Sequence, residues 1–260
     1  MYNNYLECIK QLNKENIKQS NFKSDPIYNS ILEHVSYELG TKYLNLISNE
    51  FSYINTDKIV EYLNINDTYG VPIKHTYNLN NNLLYCSPTS LRYVYHALVI
   101  LDYYKNTGCR NIVELGCGYG GLCLAINFFS KILDININNY HLIDLPVACN
   151  LIDCYLDVNK SNICTNILLH SSDVFGDDIV DSNLFFISNY CYTEIDKTLN
   201  TCYSKILLPK TSNGFIIWQT CAGICPINNA EEITGKNTKQ IIEERPQTDF
   251  CNFGNYFVYF

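Results

Sequence analysis

The spacing of hydrophobic residues predicts helices and loops over roughly the first 105 residues. One helix is expected over residues 26–39, and Pro26 is its first residue. We expect Asp25 to be its N-cap and Gly40 to lie at its end. Its apolar face consists of Ile27, Ile31, Val35 and Leu39. Residues 64–82 are rich in turn-forming residues and are predicted to form a loop.

A second helix is expected to begin at Pro88, with Ser87 as its N-cap and Gly108 at its end. Its apolar face consists of Leu91, Val94, Tyr95, Leu98 and Leu101. Short apolar strands then alternate with amphipathic helices, and the strands are expected at 111–115, 140–145, 165–173, 182–189, 214–220 and 255–260. This alternation predicts an α/β fold with a doubly wound, mostly parallel sheet. We therefore divide the chain into a helical extension, 1–107, and an α/β domain, 108–260.

The first predicted strand leads into a glycine-rich loop. Gly116, Gly118 and Gly121 fit the G-x-G-x-x-G pattern of dinucleotide-binding folds. Glu114 and Gly120 also fit the E-x-G-x-G-x-G pattern of methyltransferases that use S-adenosylmethionine. Glycine allows positive φ and close approach to a ligand, and the helix that follows offers free N–H groups. Because both cofactor classes use this geometry, the loop alone does not decide between them.

Three acidic residues favour a sulfonium cofactor over a pyrophosphate. Glu114 precedes the loop, and a carboxylate there repels a pyrophosphate but attracts an ammonium and a sulfonium group. Asp144 ends the second strand, where an acid accepts hydrogen bonds from ribose hydroxyls. Since Pro146 opens the next helix, Leu145 is expected to be its cap, which leaves Asp144 for the ligand. Asp173 follows the third strand, where an acid can accept from the adenine amino group.

The chain resembles the class I S-adenosylmethionine-dependent methyltransferases and, more narrowly, the sugar O-methyltransferases. The segments that carry the resemblance are 22–35, 66–72, 87–98, 113–122, 143–156, 187–196, 244–248 and 253–260. The resemblance implies a Rossmann-like sheet of seven strands, S-adenosylmethionine as cofactor, and a sugar hydroxyl on a glycan or nucleotide sugar as methyl acceptor. The residues assigned to cofactor binding, from the motifs and the resemblance together, are Glu114, Gly116, Gly118, Tyr119, Gly120, Asp144, Leu145, Asp173, Val174, Ser188, Asn189 and Arg92.

Methyl transfer to a sugar also needs a group that accepts the hydroxyl proton, because an alcohol is a poor nucleophile. Glu194 lies about one helical turn beyond the fourth strand and is our first candidate for the base or a substrate clamp. Asn189, at the end of that strand, is expected to position the hydroxyl or the methionyl part of the cofactor. His75 and His96 are alternative bases, in segments that would fold over the cleft as a lid.

Two side chains have roles that the sequence leaves open. Tyr119 either offers its ring face to the sulfonium or packs at the surface. Arg92 either holds a carboxylate of the cofactor or a charged substrate group, or forms a structural ion pair. The N-terminal helices are expected to cover the cleft and bind the acceptor, although packing against the sheet or a homodimer contact is equally compatible with their apolar faces.

The net charge of −8, from 18 basic and 26 acidic residues, argues against sequence-blind binding to nucleic acid. The N-terminus lacks the apolar run of a signal peptide, and no segment is long and apolar enough to span a bilayer. The thirteen cysteines include no C-x-x-C pair, so we expect reduced thiols in a cytoplasmic protein. Cys221 and Cys225 have no matching Cys or His pair, and we predict no structural zinc.

Metal dependence and three rival functions stay open at this level. Asp173, Asp177, Asp178 and Glu194 are oxygen donors, but their spacing is not diagnostic of Mg²⁺. The main rival is a nicotinamide-dependent sugar oxidoreductase or epimerase, although no Tyr-x-x-x-Lys pair follows Gly121. The others are a methyltransferase acting on a protein, a nucleic acid or a small phenol, and a non-catalytic binding module.

Overall fold

The computed structural model describes residues 2–79, 82–220, 226–249 and 253–260. The chain packs into two compact units. The first, called here the helical unit, comprises Met1–Asp102, Gly118–Ile135 and Asn150–Cys164. The second, called the sheet unit, comprises Tyr103–Cys117, Asn136–Cys149 and Thr165–Phe260. A division of function at residue 107 remains a prediction.

The helical unit contains long helices and one β-hairpin. Its elements are α1 (Tyr2–Lys10), α2 (Pro26–Leu32), α3 (Tyr37–Glu50), α4 (Thr56–Asp67), β1 (His75–Leu79), β2 (Asn82–Cys86), α5 (Pro88–Tyr104), α6 (Gly121–Ile132) and α7 (Pro146–Val158). The last two residues of α5 and the first four of α7 belong to the sheet unit. β1 and β2 pair antiparallel.

The single helix expected over 26–39 is wrong, because the segment forms two helices, α2 and α3. Ser36 begins the second of them, and its hydroxyl accepts a hydrogen bond from the Leu39 N–H at 3.2 Å. Gly40, expected at the helix end, lies inside α3. A Cβ at Gly40 would overlap the side chain of Tyr77. This glycine therefore allows close packing and does not end the helix.

The loop expected over 64–82 is also wrong, because it contains the end of α4 and all of β1. Tyr77 and Leu79 of β1 are buried and alternate with exposed residues, as do Leu84 and Cys86 of β2. Alternation of this kind is typical of a strand. The many asparagines of the segment conceal it when turn-forming composition is given priority.

The helix predicted from Pro88 is confirmed as α5. The Thr89 N–H donates to the Ser87 hydroxyl at 3.2 Å, as expected of an N-cap. The five residues of its predicted apolar face are all buried. The helix ends at Tyr104, before the expected Gly108.

In its described residues, the sheet unit contains seven strands and three short α-helices. The strands are β3 (Asn111–Leu115), β4 (Asn139–Asp144), β5 (Asn166–Ser171), β6 (Leu184–Asn189), β7 (Thr211–Gln219), β8 (Gln240–Glu243) and β9 (Asn255–Tyr259). The helices are α8 (Cys191–Glu194), α9 (Lys197–Ile206) and α10 (Ala230–Thr234). The strand order is β5-β4-β3-β6-β7-β9-β8. This arrangement confirms the predicted α/β fold with a mostly parallel sheet.

Five strands of the sheet, β5, β4, β3, β6 and β7, are parallel, and β9 is antiparallel to both of its neighbours. The chain leaves β3 for β4 on one side and later returns to β6 on the other. The switch point of the sheet, where ligands of such folds bind, is therefore at the carboxyl ends of β3 and β6. Val113, Phe186, Ile216 and Trp218 are fully buried in the core of this unit.

Candidate functional site

The carboxyl edge of the sheet gathers most of the predicted site residues. Because β3 to β7 are parallel, the residues that follow them lie along one edge. These residues are Glu114 and Gly116 at the end of β3, Asp144 and Leu145 at β4, Asp173 and Val174 after β5, Ser188 and Asn189 at β6, and Glu194 at the end of α8. β8 runs in the same direction and ends at this edge, and β9 begins there. The other predicted residues, Arg92, His75, His96, Gly118, Tyr119 and Gly120, belong to the helical unit.

The glycine loop has the backbone conformation that its sequence predicts. Gly116, Gly118 and Gly120 have φ values of 79°, 61° and 88°, which only glycine adopts without strain. The Gly116 N–H donates to the Ile143 carbonyl at 3.0 Å and so extends the contact between β3 and β4. A Cβ on Gly116 would overlap the Cβ of Cys191. The loop thus begins in a space that admits no side chain.

Asp144 holds the start of this loop. Its Oδ2 accepts a hydrogen bond from the Cys117 N–H at 2.7 Å, and its Oδ1 accepts from the Leu145 N–H at 2.8 Å. Asp144 lies two residues before Pro146, the first residue of α7, and its contact with a ligand stays a prediction. A carboxylate oxygen can accept more than one hydrogen bond, so these backbone contacts are compatible with the predicted contact to a ligand hydroxyl.

Glu114 differs from its predicted state. Its side chain is only 3% exposed, and its Oε2 accepts a hydrogen bond from the Tyr140 hydroxyl at 2.6 Å. Burial raises the pKa of Glu114 to about 8, although the Tyr140 hydrogen bond opposes the rise. At pH 7 the carboxyl is mostly protonated and does not present the negative charge expected to attract a sulfonium. The hydrogen bond between Glu114 and Tyr140 instead links β3 to β4.

The residues after β5 are accessible. Asp173 is exposed, and its N–H donates to the Ser171 hydroxyl at 3.1 Å. Val174 is 41% exposed. Phe175 follows with a φ of 53°, which turns the chain away from the strand direction. An exposed carboxylate next to an exposed apolar side chain is compatible with the predicted adenine contact.

Ser188 joins three elements at the end of β6. Its hydroxyl donates to the Leu115 carbonyl at 3.0 Å and accepts from the Tyr192 N–H at 3.0 Å. The side chain therefore ties β6 to β3 and to α8. Asn189, the next residue, is half-buried at the strand end.

Glu194 ends α8 and is exposed. Partial desolvation nevertheless raises the pKa of Glu194 from its ordinary value, and a hydrogen bond with Gln219 opposes the rise. A carboxylate with a raised pKa is a stronger base than an ordinary surface glutamate. These properties are compatible with the predicted role.

Tyr119 does not offer its ring to a ligand in the way we expected. The ring is fully buried in the helical unit, and the Lys23 ammonium lies 4.3 Å from its centroid. The same ammonium lies 4.8 Å from the Tyr155 centroid and donates to the Asn66 carbonyl at 2.6 Å. Packing at the surface, the other alternative, is therefore wrong, and a lysine of this chain occupies the cation–π position considered for the sulfonium.

A buried polar network in the helical unit connects four of the segments that carry the resemblance. The Asn66 side-chain amide donates to the hydroxyls of Ser90 (2.7 Å) and Tyr119 (3.1 Å). Asp67 accepts from the Ser87 N–H at 2.7 Å and from the Ser90 hydroxyl. With Lys23, these contacts bring together segments 22–35, 66–72, 87–98 and 113–122. The segments thus share a structural role in holding the middle of the glycine loop.

The alternative bases and Arg92 also lie in the helical unit. His96 is buried, and its ring contacts Tyr43 at 5.6 Å between centroids. Burial lowers the pKa of His96 well below its ordinary value, and the charge of Arg92 lowers it further. The Arg92 guanidinium donates to the Leu32 carbonyl at 2.9 Å. His75 is half-buried at the start of β1. Their predicted roles stay predictions.

Tyr190 and Glu244 also lie at the carboxyl edge of the sheet, although neither is among the predicted site residues. Tyr190, directly after β6, has a φ of 71° and a ψ of −41°. Its hydroxyl donates to the carboxyl of Glu244, which is buried directly after β8. Segment 244–248 carries the resemblance, and this was the available signal for Glu244.

Within the described residues, no group of three or more His, Cys, Asp and Glu side chains is placed to hold a metal ion. Asp178, one of the oxygen donors considered for Mg²⁺, forms a hydrogen bond through its Oδ2 with the Nδ1 of His170, at 2.7 Å. In the same part of the chain, no helix is long and apolar enough to cross a bilayer. The cysteines within the described ranges are free thiols. Cys221 and Cys225 lie outside those ranges.

No protein-family model and no curated protein sequence matches the chain. Among solved structures, it is similar to the pyocyanin biosynthetic protein PhzM, with 9% identity, coverage of 59% of this chain and 50% of that one, and a TM-score of 0.43. The mitomycin 7-O-methyltransferase MmcR is 15% identical, with coverage of 66% and 54% and a TM-score of 0.46. Magnesium protoporphyrin IX methyltransferase from Synechocystis PCC 6803, with bound SAM, is 8% identical, with coverage of 86% and 97% and a TM-score of 0.45. The chain spans about half the length of the first two. Similarity at this level does not establish a shared function.

Proposed function

We propose that the chain is an S-adenosylmethionine-dependent O-methyltransferase that transfers a methyl group to a sugar hydroxyl. The observation that carries the proposal is the conformation of Gly116 and the hydrogen bond from the Cys117 N–H to Asp144. Together they place a tight glycine turn at the switch point, next to a carboxylate at the end of the adjacent strand. The sugar acceptor is supported by the sequence resemblance alone.

The sheet order favours this proposal over a nicotinamide-dependent enzyme. The strands from β5 to β7 follow the order common to doubly wound nucleotide-binding sheets. The typical dinucleotide-binding sheet continues with a sixth parallel strand next to its fifth strand, the counterpart of β7. Here the antiparallel strand β9 lies between β7 and β8 instead. This departure, together with the lack of a Tyr-x-x-x-Lys pair after Gly121, makes the dinucleotide alternative weaker.

In this account the residues at the sheet edge bind and orient the reactants. Asp144 accepts hydrogen bonds from the ribose hydroxyls, and Asp173 accepts from the adenine amino group. The bound cofactor supplies an electrophilic methyl group on sulfur. Asn189 would orient the acceptor, and the Glu194 carboxylate would accept the proton of the acceptor hydroxyl.

The proposal is tested by transfer of labelled methyl from S-adenosylmethionine to a panel of free and nucleotide-activated deoxysugars. The wild type is expected to methylate at least one member. Glu194→Gln is expected to lower kcat by about a hundredfold or more, because loss of a general base typically costs this much. Its affinity for S-adenosylhomocysteine should stay within about twofold of the wild type, since the side chain lies at the acceptor end of the site.

Glu243→Gln is the matched control, because Glu243 is an exposed glutamate at the same edge of the sheet and has no proposed role. It should leave kcat unchanged. Unchanged turnover in Glu194→Gln would eliminate Glu194 as the base, while failure of the wild type to methylate any sugar would move the proposal to another class of acceptor.

A further inference from the structure

The sheet unit contains a buried carboxyl group that the proposed chemistry does not use. Glu244 is 1% exposed. Its Oε2 accepts from the N–H and the hydroxyl of Thr248, at 3.0 and 2.7 Å, and from the side-chain amide of Asn255 at 3.1 Å. Its Oε1 accepts from the Tyr190 hydroxyl. Four donors converge on this carboxyl group, so it is a rigid anchor.

Tyr190 has a strained backbone. A φ of 71° with a ψ of −41° is outside the regions that residues other than glycine favour. Its N–H donates to the Ile217 carbonyl at 3.2 Å, and its carbonyl accepts from the Thr193 hydroxyl at 3.1 Å. Conformations of this kind persist only where the surrounding contacts hold them, and they concentrate at functional sites.

The strained turn determines where the next residues lie. Cys191, directly after Tyr190, packs so closely on Gly116 that no Cβ fits between them. Three residues further, Glu194 completes α8. The Thr193 hydroxyl also accepts from the Gln219 N–H at 3.0 Å, which fixes α8 to the end of β7. A change in the Tyr190 backbone would therefore move both Cys191 and Glu194.

We infer that Tyr190 and Glu244 are positioning residues for the candidate site. The hydrogen bond between their side chains holds the turn after β6 in the strained conformation, which seats Cys191 against Gly116 and presents Glu194 to the acceptor. The part that concerns Glu194 rests on the proposed function. The seating of Cys191 does not, so the two can be tested separately.

The first test measures the rate at which iodoacetamide alkylates Cys191, followed by peptide mass spectrometry on the full-length protein. Tyr190→Phe removes only the hydroxyl and leaves the ring to pack. It is expected to raise the rate at Cys191 about tenfold, because a hydrogen bond to a carboxylate is lost and the turn opens more often. Cys202 on α9 is the internal reference, and its rate in Tyr190→Phe should stay unchanged. Tyr256→Phe on β9 is the control variant, and the Cys191 rate in this variant should equal that of the wild type. An unchanged rate at Cys191 in Tyr190→Phe overturns the inference.

The second test asks whether Tyr190 acts through Glu194. Tyr190→Phe is expected to lower kcat about tenfold with little change in the affinity for S-adenosylhomocysteine. In the Glu194→Gln background the same substitution should have almost no further effect, since the residue that it positions is already lost. Multiplicative effects would show that Tyr190 does not work through Glu194.

Glu244→Gln provides an independent variant that should reproduce both results of Tyr190→Phe. If the Cys191 rate rises but the wild type transfers no methyl group, the proposed function fails and the role in holding the turn stands. If the wild type transfers methyl and the Cys191 rate is unchanged, the positioning role fails and the proposed function stands.

Discussion

Gly116→Ala is expected to lower the free energy of unfolding by about 3 kcal/mol. Two costs combine at this position. An alanine with a φ of 79° is strained by roughly 1–2 kcal/mol. Its Cβ would also overlap the Cβ of Cys191 and lie 2.6 Å from the Cys191 sulfur, and such overpacking typically costs about 1–3 kcal/mol. Chemical denaturation of the variant and the wild type measures the change directly.

Two further variants separate these costs. Gly108 has a φ of 72°, but a Cβ there would meet nothing within 4 Å. Gly108→Ala should therefore lower the free energy of unfolding by the strain alone, roughly 1–2 kcal/mol. The double variant Gly116→Ala with Cys191→Gly removes the overlap and keeps the strain, so it should recover part of the lost stability. An unchanged free energy of unfolding in Gly116→Ala would show that Gly116 has neither the backbone conformation nor the packing described.

Glu114→Gln is expected to stabilise the ligand-free protein by roughly 3 kcal/mol at pH 7. The folded protein retains the Glu114 proton up to a pKa of about 8, whereas the unfolded chain releases it near 4.5. The stability of the wild type therefore falls by about 1.4 kcal/mol for each pH unit between these two values. Glutamine has no such proton to lose, and its carbonyl oxygen can accept the Tyr140 hydroxyl in the same way.

Chemical denaturation of both proteins between pH 5 and 8 tests this expectation. The difference in free energy of unfolding should be small at pH 5 and should grow steadily up to pH 8. Glu243→Gln, at an exposed glutamate, should give a difference that does not change with pH. A constant difference for Glu114→Gln would mean that Glu114 is ionised in the folded protein, as the sequence analysis assumed.

The sequence predicts the central strands well because they are short apolar runs, and β3 and β4 are each followed directly by a helix. β3 and β6 are buried along their lengths, and this burial produces the uninterrupted apolar pattern. β8 was missed because it is a short, mostly exposed edge strand, so it has no such pattern. The hairpin of β1 and β2 was missed because its alternation is only five residues long in each strand.

The sequence predicts where the site residues lie relative to the strands, but it does not predict their burial or their hydrogen-bond partners. Glu114 and Asp144 were placed correctly at the ends of β3 and β4, since strand ends are visible in the sequence. The burial of Glu114 depends on Tyr140, 26 residues away, and the contact of Tyr190 with Glu244 spans 54 residues. Periodicity and local motifs contain no information about such pairs.

Tyr119 illustrates the same limit. Its place in the glycine loop suggested a ring that faces a cationic ligand. The structure shows the ring buried against Lys23, which comes from the N-terminal segment. The resemblance already pointed to both segments, but it did not indicate that they touch.

Calorimetry of the wild type with S-adenosylhomocysteine and, separately, with NAD tests the central claim most directly. The claim is that the turn at Gly116 and Cys117, together with Asp144, binds an S-adenosyl cofactor. The account predicts saturable heat of binding with S-adenosylhomocysteine and none with NAD at the same concentrations. Saturable binding of NAD without binding of S-adenosylhomocysteine would contradict it and would favour the nicotinamide-dependent alternative.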